Sequence, residues 1–455
     1  MGTSTVRSLR TAPGAGRLRF SLVASLVVAG LAALVLVAPA LATPSFTWSA
    51  TYDGAFGGDD RFLAMAVDSA GNAYAAGSVA RPAAFGLDAL LVKFSPTGQR
   101  LWARSFDGPP GQDDYATDMV RDPWGDLCLT GRVSGHGGDV LVAKYSPDGK
   151  LRWSRAYDRG YGYADTGTAI GVDAQGNIYV AASCVLGVNK TRLMVIKYDR
   201  AGNRKWARAV GAAATSTRPR DIAVNAVGGV AVCGIKSNPT TGSTTSLVAL
   251  LDAAGTLKWQ TGYNGQPAGR TDTVRVRWHG SYVWVLGSTH DAGAAFSRAH
   301  IARFNSLGQL KGAYGTPRTG PGYSFRDFVI TGTGAYIVGQ FGTPSGTDSL
   351  VLKVTLGVTY AWAAGLNIGP RESFTAIAAD ASGNVWAVGQ AGGPMNVLGL
   401  NPACASLGSI SRSAPLVTKD AVVAAVYRGG AIYVAGSTQV GSGHSDGLVA
   451  RVSLQ

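Results

Sequence analysis

The chain has 455 residues, enough for one large repeat array or for two to three ordinary domains. Gly is abundant at 63 residues, only 15% of residues are charged and 46% are apolar, which excludes a disordered chain. The net charge of +14, from 41 Lys and Arg against 27 Asp and Glu, is scattered along the chain with no clustered stripe of the kind nucleic-acid binding requires; it suits weak adherence to acidic polymers.

The first 42 residues read as a signal peptide. Arg7, Arg10, Arg17 and Arg19 precede an uncharged apolar stretch from Phe20 to Ala38, and Ala40 and Ala42 fit the small-residue rule for cleavage before Thr43. The alternative is an uncleaved N-terminal anchor, the only route by which this chain would contact a membrane. Either way the body, residues 43–455, is expected outside the cytoplasm, at the cell surface or beyond. Loss of residues 1–42 lowers the net charge from +14 to +10.

From there the sequence repeats. Trp48, Trp102, Trp153, Trp206 and Trp259 stand 51 to 54 residues apart, and Trp362 follows two units later, the intervening position falling near Gly312. A second marker runs in parallel: "DSAGN" from Asp68, "DPWGD" from Asp122, "DAQGN" from Asp173 and "DASGN" from Asp380, with degenerate versions at Asn225, His279, Thr331 and Tyr427. That makes eight copies. Within the second unit, "YATDMVRD", "DLCLTGR", "DVLVAKYS" and "KLRWSRAYD" are four strand signals bounded by Gly, Pro, Asp and Asn. Asp and Asn side chains bond their own turn backbone and Gly supplies positive φ, so D-x-x-G-N and S-P-D-G both encode hairpins.

Four antiparallel strands per unit of about fifty residues predict an all-β fold, a single eight-bladed β-propeller. Seven blades is the alternative if "GPMNVLGLNPACASLGSI" is not a true unit. The segment "FTWSATYDG" is a lone fourth-strand signal, and the last unit lacks a fourth strand. The N-terminal strand is therefore expected to pair with the last blade and close the ring. The tryptophans are expected to pack between neighbouring blades.

The stretch "GGDDRFLAMAVDSAGNAYAAGS…DALLVKFSPTGQRLW" resembles the bacterial β-propeller repeat of secreted and surface proteins often called the SBBP repeat. The resemblance is tight in units one to three and looser in four to eight. It implies the scaffold and no particular activity. A similar G-x-x-x-W ending occurs in eight-bladed quinoprotein dehydrogenases, but no adjacent cysteine pair accompanies it here, so a quinoprotein-like oxidoreductase is a remote alternative.

Propellers generally place ligands at the channel mouth, on the loops entering the first strands and those between second and third strands. There the sequence offers Asp59, Asp60, Asp113, Asp114, Asp165 and Glu372, with Arg218, Arg220 and Arg270 beside Asp272 in later units. Such a rim could bind a cation, calcium included, or a zwitterionic or sugar ligand. The structural alternative is that G-D-D belongs to the repeat, its carboxylates capping turns or joining blades. Similarly, Lys93, Lys144, Lys197, Arg303, Lys353 and Arg451 read as a repeated solvated or blade-bridging cation.

His136 and His444, with Asp139 and Asp446, form the nearest approach to a metal or acid/base cluster; as lone loop histidines they are also ordinary surface residues. Cys128, Cys184, Cys233 and Cys404 show no framework or zinc spacing and read as buried free thiols, Cys128 and Cys233 at different strand phases. Asn189 begins an N-glycosylation pattern. No hydrolase, metalloprotease, EF-hand or P-loop motif is present. The expected role is a monomeric, non-enzymatic binding or structural module needing no cofactor. Its partner would be an extracellular glycan, a cell-wall component or a surface protein. The alternative is an extracellular hydrolase or lyase acting on a polymer at the funnel.

Overall fold

The computed structural model describes residues 5–9 and 44–454, apart from 83–85, 109–112, 135–137, 161, 189, 213, 239–242, 264–268, 292–296, 317–321, 344–345, 368–371, 392, 413–416 and 441–443. His136, Asn189 and most of the N-terminal signal lie outside the described residues. Among those described, eight four-stranded antiparallel sheets follow one another as blades of a β-propeller. Blades 1 to 7 span residues 61–106, 115–157, 166–210, 216–261, 269–315, 323–367 and 372–411. The seventh unit is a complete blade, so the seven-bladed alternative falls. Blade 8 takes three strands from residues 417–453 and its fourth from Ser45–Tyr52, which pairs antiparallel with Ser445–Ser453 from Ser45↔Ser453 to Tyr52↔Gly447. Thr5–Leu9 adds a fifth strand to the outer edge of blade 6.

Closure is visible in the core. Second strands are buried on both faces, so successive side chains enter opposite blade joints. Tyr74 and Ala76 meet Leu127 and Leu129 of blade 2, and Tyr179 and Ala181 meet Val230 and Val232 of blade 4. Eight such apolar clusters occupy the eight joints. At the last of them Tyr433 and Ala435 of blade 8 pack on Ala73 and Ala75 of blade 1. Cys128 and Cys233 both face the next blade in chain order, so they share a phase, contrary to the sequence reading. All four cysteines are free; three are buried and Cys404 is partly so.

The repeated motifs now have physical roles. Asp68 Oδ1 accepts the Ala70 and Asn72 N–H groups at 3.0 and 2.9 Å, closing the first hairpin of blade 1. The fourth-strand tryptophan lies on the last hairpin of the next blade. Trp48 Nε1 donates to Pro96 O at 2.8 Å, Trp153 to Arg200 O at 3.1 Å and Trp259 to Ser306 O at 3.0 Å. Gly202 sits under the Trp153 ring with φ of +83°, where a Cβ would come within 2.7 Å of the indole. One of the two positions lacking tryptophan, Gly312, faces Val358, which takes the left-handed conformation that glycine has in those other turns. The repeated cation bridges blades as well. Lys93 Nζ donates to Pro147 O, Lys197 to Ala253 O and Lys353 to Pro402 O, each over the ring of a second-strand tyrosine. Blade 2 has Cys128 in place of that tyrosine, and Lys144 instead pairs with Asp122 at 2.6 Å.

Every first strand carries a β-bulge, at Phe62/Ala64 in blade 1, Ala116/Asp118 in blade 2 and corresponding positions in the other six. Across from it the second strand has glycine in seven blades. At Gly77 a Cβ would fall 1.8 Å from Arg61 O, so the close approach admits no side chain. The bulge matters for function because it turns one first-strand side chain toward the axis.

Candidate functional site

Rim, channel and joints are built by different parts of the repeat. At the rim, the second aspartate of each G-D-D pair is buried and tied to backbone. Asp60 accepts the Ala80 N–H at 2.8 Å and that of Gly54, while Asp114 accepts those of Ser134 and Gly108. Asp165 repeats the arrangement with Val185 and Arg159 at 3.0 and 3.2 Å. In all three the acceptor lies twenty residues before one donor and six after the other. Burial raises the carboxyl pKa of Asp60 and Asp165, although these N–H groups oppose it.

The first aspartate of each pair reaches back one blade. Asp59 accepts the Ser445 N–H at 2.8 Å and Asp113 that of Leu87 at 3.1 Å, both at the start of the preceding blade's third strand. The Ser445 N–H, then Arg61, hold the Asp59 carboxyl below its ordinary range. Arg218 is exposed and donates to Thr191 Oγ1, Arg220 forms a two-pronged pair with Asp272 at 3.2 and 2.9 Å, and Glu372 is buried. The rim residues of blades 1 to 3 thus hold loops, while Arg220 and Asp272 make an exposed ion pair between blades 4 and 5.

His444 lies on the same rim where the ring closes. Its Nε2 is 3.3 Å from Asp446 Oδ1 and 3.6 Å from Asp53 Oδ1. The pairing of His444 with Asp446 was legible in the sequence; Asp53, from the other end of the chain, was not.

The channel is where the sequence reading stopped short. A cavity of about 320 Å³ on the axis is lined by the first strands of seven blades. The residue that resumes strand pairing just after each bulge is Ala64, Asp118, Ala169, Asp221, Arg275, Asp327, Ala376 and Ala424 in turn. One wall is therefore aliphatic, and the other carries charge. Arg277 reaches Asp221 at 2.7 Å and Asp327 at 3.2 Å, and Arg275 lies 3.6 Å from Asp327. Burial disfavours the Arg277 charge, but Asp221 and Asp327 outweigh it and keep its pKa above the ordinary value. The three acids also join blades in alternation. Asp118 accepts the N–H of Ile170, Asp221 that of Val276 and Asp327 that of Ile377. Among the described residues no arginine forms an ion pair with Asp118, and burial pushes its carboxyl up to about 6 against the weaker pull of Arg275. The available signal was an aspartate inside otherwise apolar first strands, as in "YATDMVRD" and "FRDFVI".

Two clefts accompany the channel. One of about 340 Å³ at the joint of blades 8 and 1 is bordered by Arg61, Leu63, Ser437, Gln439 and Ser445. Another, of about 570 Å³, opens at the joint of blades 4 and 5 between Trp259, Trp278 and Leu307, where blade 4 has Ala231 and Leu250 in place of the tyrosine–cation pair.

No family model matches the chain, and no curated protein does. Among solved structures it is similar to the polysaccharide lyase Uly1, at 11% identity over 89% of this chain and 92% of that one, with a TM-score of 0.48. It is similar to a puromycin hydrolase mutant complexed with PGG, at 12% identity over 87% of this chain and 61% of that one, TM-score 0.48. Domains 1–2 of Drosophila semaphorin 1b match at 9% identity over 88% of each chain, TM-score 0.40. Likenesses this distant concern architecture and say nothing of chemistry.

Proposed function

We propose that the protein is an exported, non-enzymatic binding module that holds a polyhydroxylated polymer, a glycan or cell-wall fragment, at the channel mouth. The observation that carries this reading is the state of the rim carboxylates. Asp60, Asp114 and Asp165, which a hydrolase would need free, are buried and accept backbone N–H groups in one repeated geometry. What faces solvent instead is a set of neutral and internally paired groups beside apolar surface. Arg61, which is paired with Asp59, together with Ser437 and exposed Leu63 borders the cleft between blades 8 and 1. Alternating donors and acceptors next to a nonpolar patch suit sugar hydroxyls and ring faces. The resemblance to repeats of secreted and surface proteins, with the Arg-bearing apolar leader, supports export and a start at Thr43.

The test is a binding screen of the purified protein against glycans and cell-wall fragments, with and without calcium, with product analysis in parallel. Saturable binding without turnover is expected. A second reading, polymer hydrolysis or lysis, is favoured by Asp118 alone, because a carboxyl titrating near 6 can donate a proton close to neutrality. Turnover abolished by Asp118→Asn would replace the first reading with the second.

A further inference from the structure

The rim histidine sits where the two ends of the chain meet. Asp53 follows the N-terminal strand that completes blade 8, whereas His444 and Asp446 belong to the third strand of that blade and the loop entering it. One ligand-capable atom from each residue lies within 4.8 Å of the other two. From the geometry we infer that Asp53, His444 and Asp446 form a zinc-type metal site that staples the N-terminal strand to the C-terminal sheet.

Three features carry the inference. The first is spacing. Zinc bonds of 2.0 to 2.2 Å put neighbouring tetrahedral ligands about 3.3 to 3.6 Å apart. The observed separations from His444 Nε2 are 3.3 and 3.6 Å. The second is the donor set. One imidazole and two carboxylates with room for a water match a borderline divalent metal, whereas calcium takes six to eight oxygens at longer distance. The third is preorganisation and charge. Asp59 accepts the Ser445 N–H at 2.8 Å and so fixes the 444–446 segment from the neighbouring blade. Asp446 Oδ1 is buried with no hydrogen-bond partner among the described residues, and His444 Nε2 lies 3.3 Å from it. The Asp53 and Asp446 carboxylates share this one cluster with His444, two acidic groups that a dication would neutralise.

The consequence is mechanical. Asp53 and His444 are roughly 390 residues apart in sequence, so a metal bridging them closes almost the whole chain into a loop and opposes peeling of the latch strand. Binding only to the closed ring raises stability by mass action.

The test is calorimetric titration of the purified full-length protein with zinc chloride, paired with thermal melts. One zinc per chain is expected, together with a rise in Tm of more than about 3 °C at saturation and no comparable rise with calcium. Asp53→Asn and His444→Gln should each lower zinc affinity at least tenfold while leaving the metal-free Tm within about 2 °C. Absence of stoichiometric binding would overturn the site, as would affinity retained in His444→Gln. Full affinity in Asp53→Asn, or binding that leaves Tm unmoved, would overturn the staple.

Discussion

Single residues in this protein do different work according to which blade they occupy. Asp118, Asp221 and Asp327 hold one register position in blades 2, 4 and 6, yet among the described residues only the last two form ion pairs with arginine. For Asp118 the folded pKa lies near 6, above its ordinary 3.8. The unfolded chain therefore releases that proton first, and the residue's contribution to stability falls as pH rises from about 4 to 6. Asp118→Asn stays neutral throughout. Denaturant unfolding at several pH values should show the wild type losing stability relative to this variant across that window; parallel curves would refute the assignment. None of this was readable in advance. Period-two alternation assigns a strand residue to one face, and the bulge beside Asp118 shifts the phase at the residue that matters. The G-D-D carboxylates were legible as repeat members, and their repeated geometry follows from that register. Which backbone groups they bond was not legible, because the donors lie on other strands and loops.

At the level of elements, the hairpins were the readable part, since D-x-x-G-N and S-P-D-G carry their turn chemistry in a few adjacent residues. The link between elements is the tryptophan of one blade seated on the turn glycine of the next. This pairing separates residues about fifty apart, and a sequence gives their spacing without saying that they touch. Gly202 and Gly160 provide a paired test. Both have positive φ, +83° and +88°, but an added Cβ meets Trp153 at 2.7 Å in the first and nothing within 4 Å in the second. Gly160→Ala should cost about 1 to 2 kcal/mol, the left-handed backbone contribution alone. Gly202→Ala should cost clearly more, because the indole must also move off its turn. Equal losses in urea midpoint would mean that the tryptophan contact contributes nothing.

Across the whole molecule, eight joints are filled by eight apolar clusters, and the joint made by the chain ends is equivalent to the other seven. The count of blades was legible because the hairpin markers recur even where tryptophan is lost, at Gly312 and at Gly408. Closure was legible as a leftover strand at one end and a missing one at the other. The charged half of the channel was not, since it depends on which blades stand together around the axis. A propeller with an unpaired Ser445–Ser453 edge would expose a strand to intermolecular pairing. The joint is therefore the point on which the rim, the channel and the proposed metal site all depend. Hydrogen exchange read by mass spectrometry tests it most directly. Residues 45–52 should be protected as strongly as the inner-blade fourth strands 151–157 and 204–210. Exchange of 45–52 at the rate of an unstructured peptide, with those strands still protected, would contradict the closed eight-bladed ring.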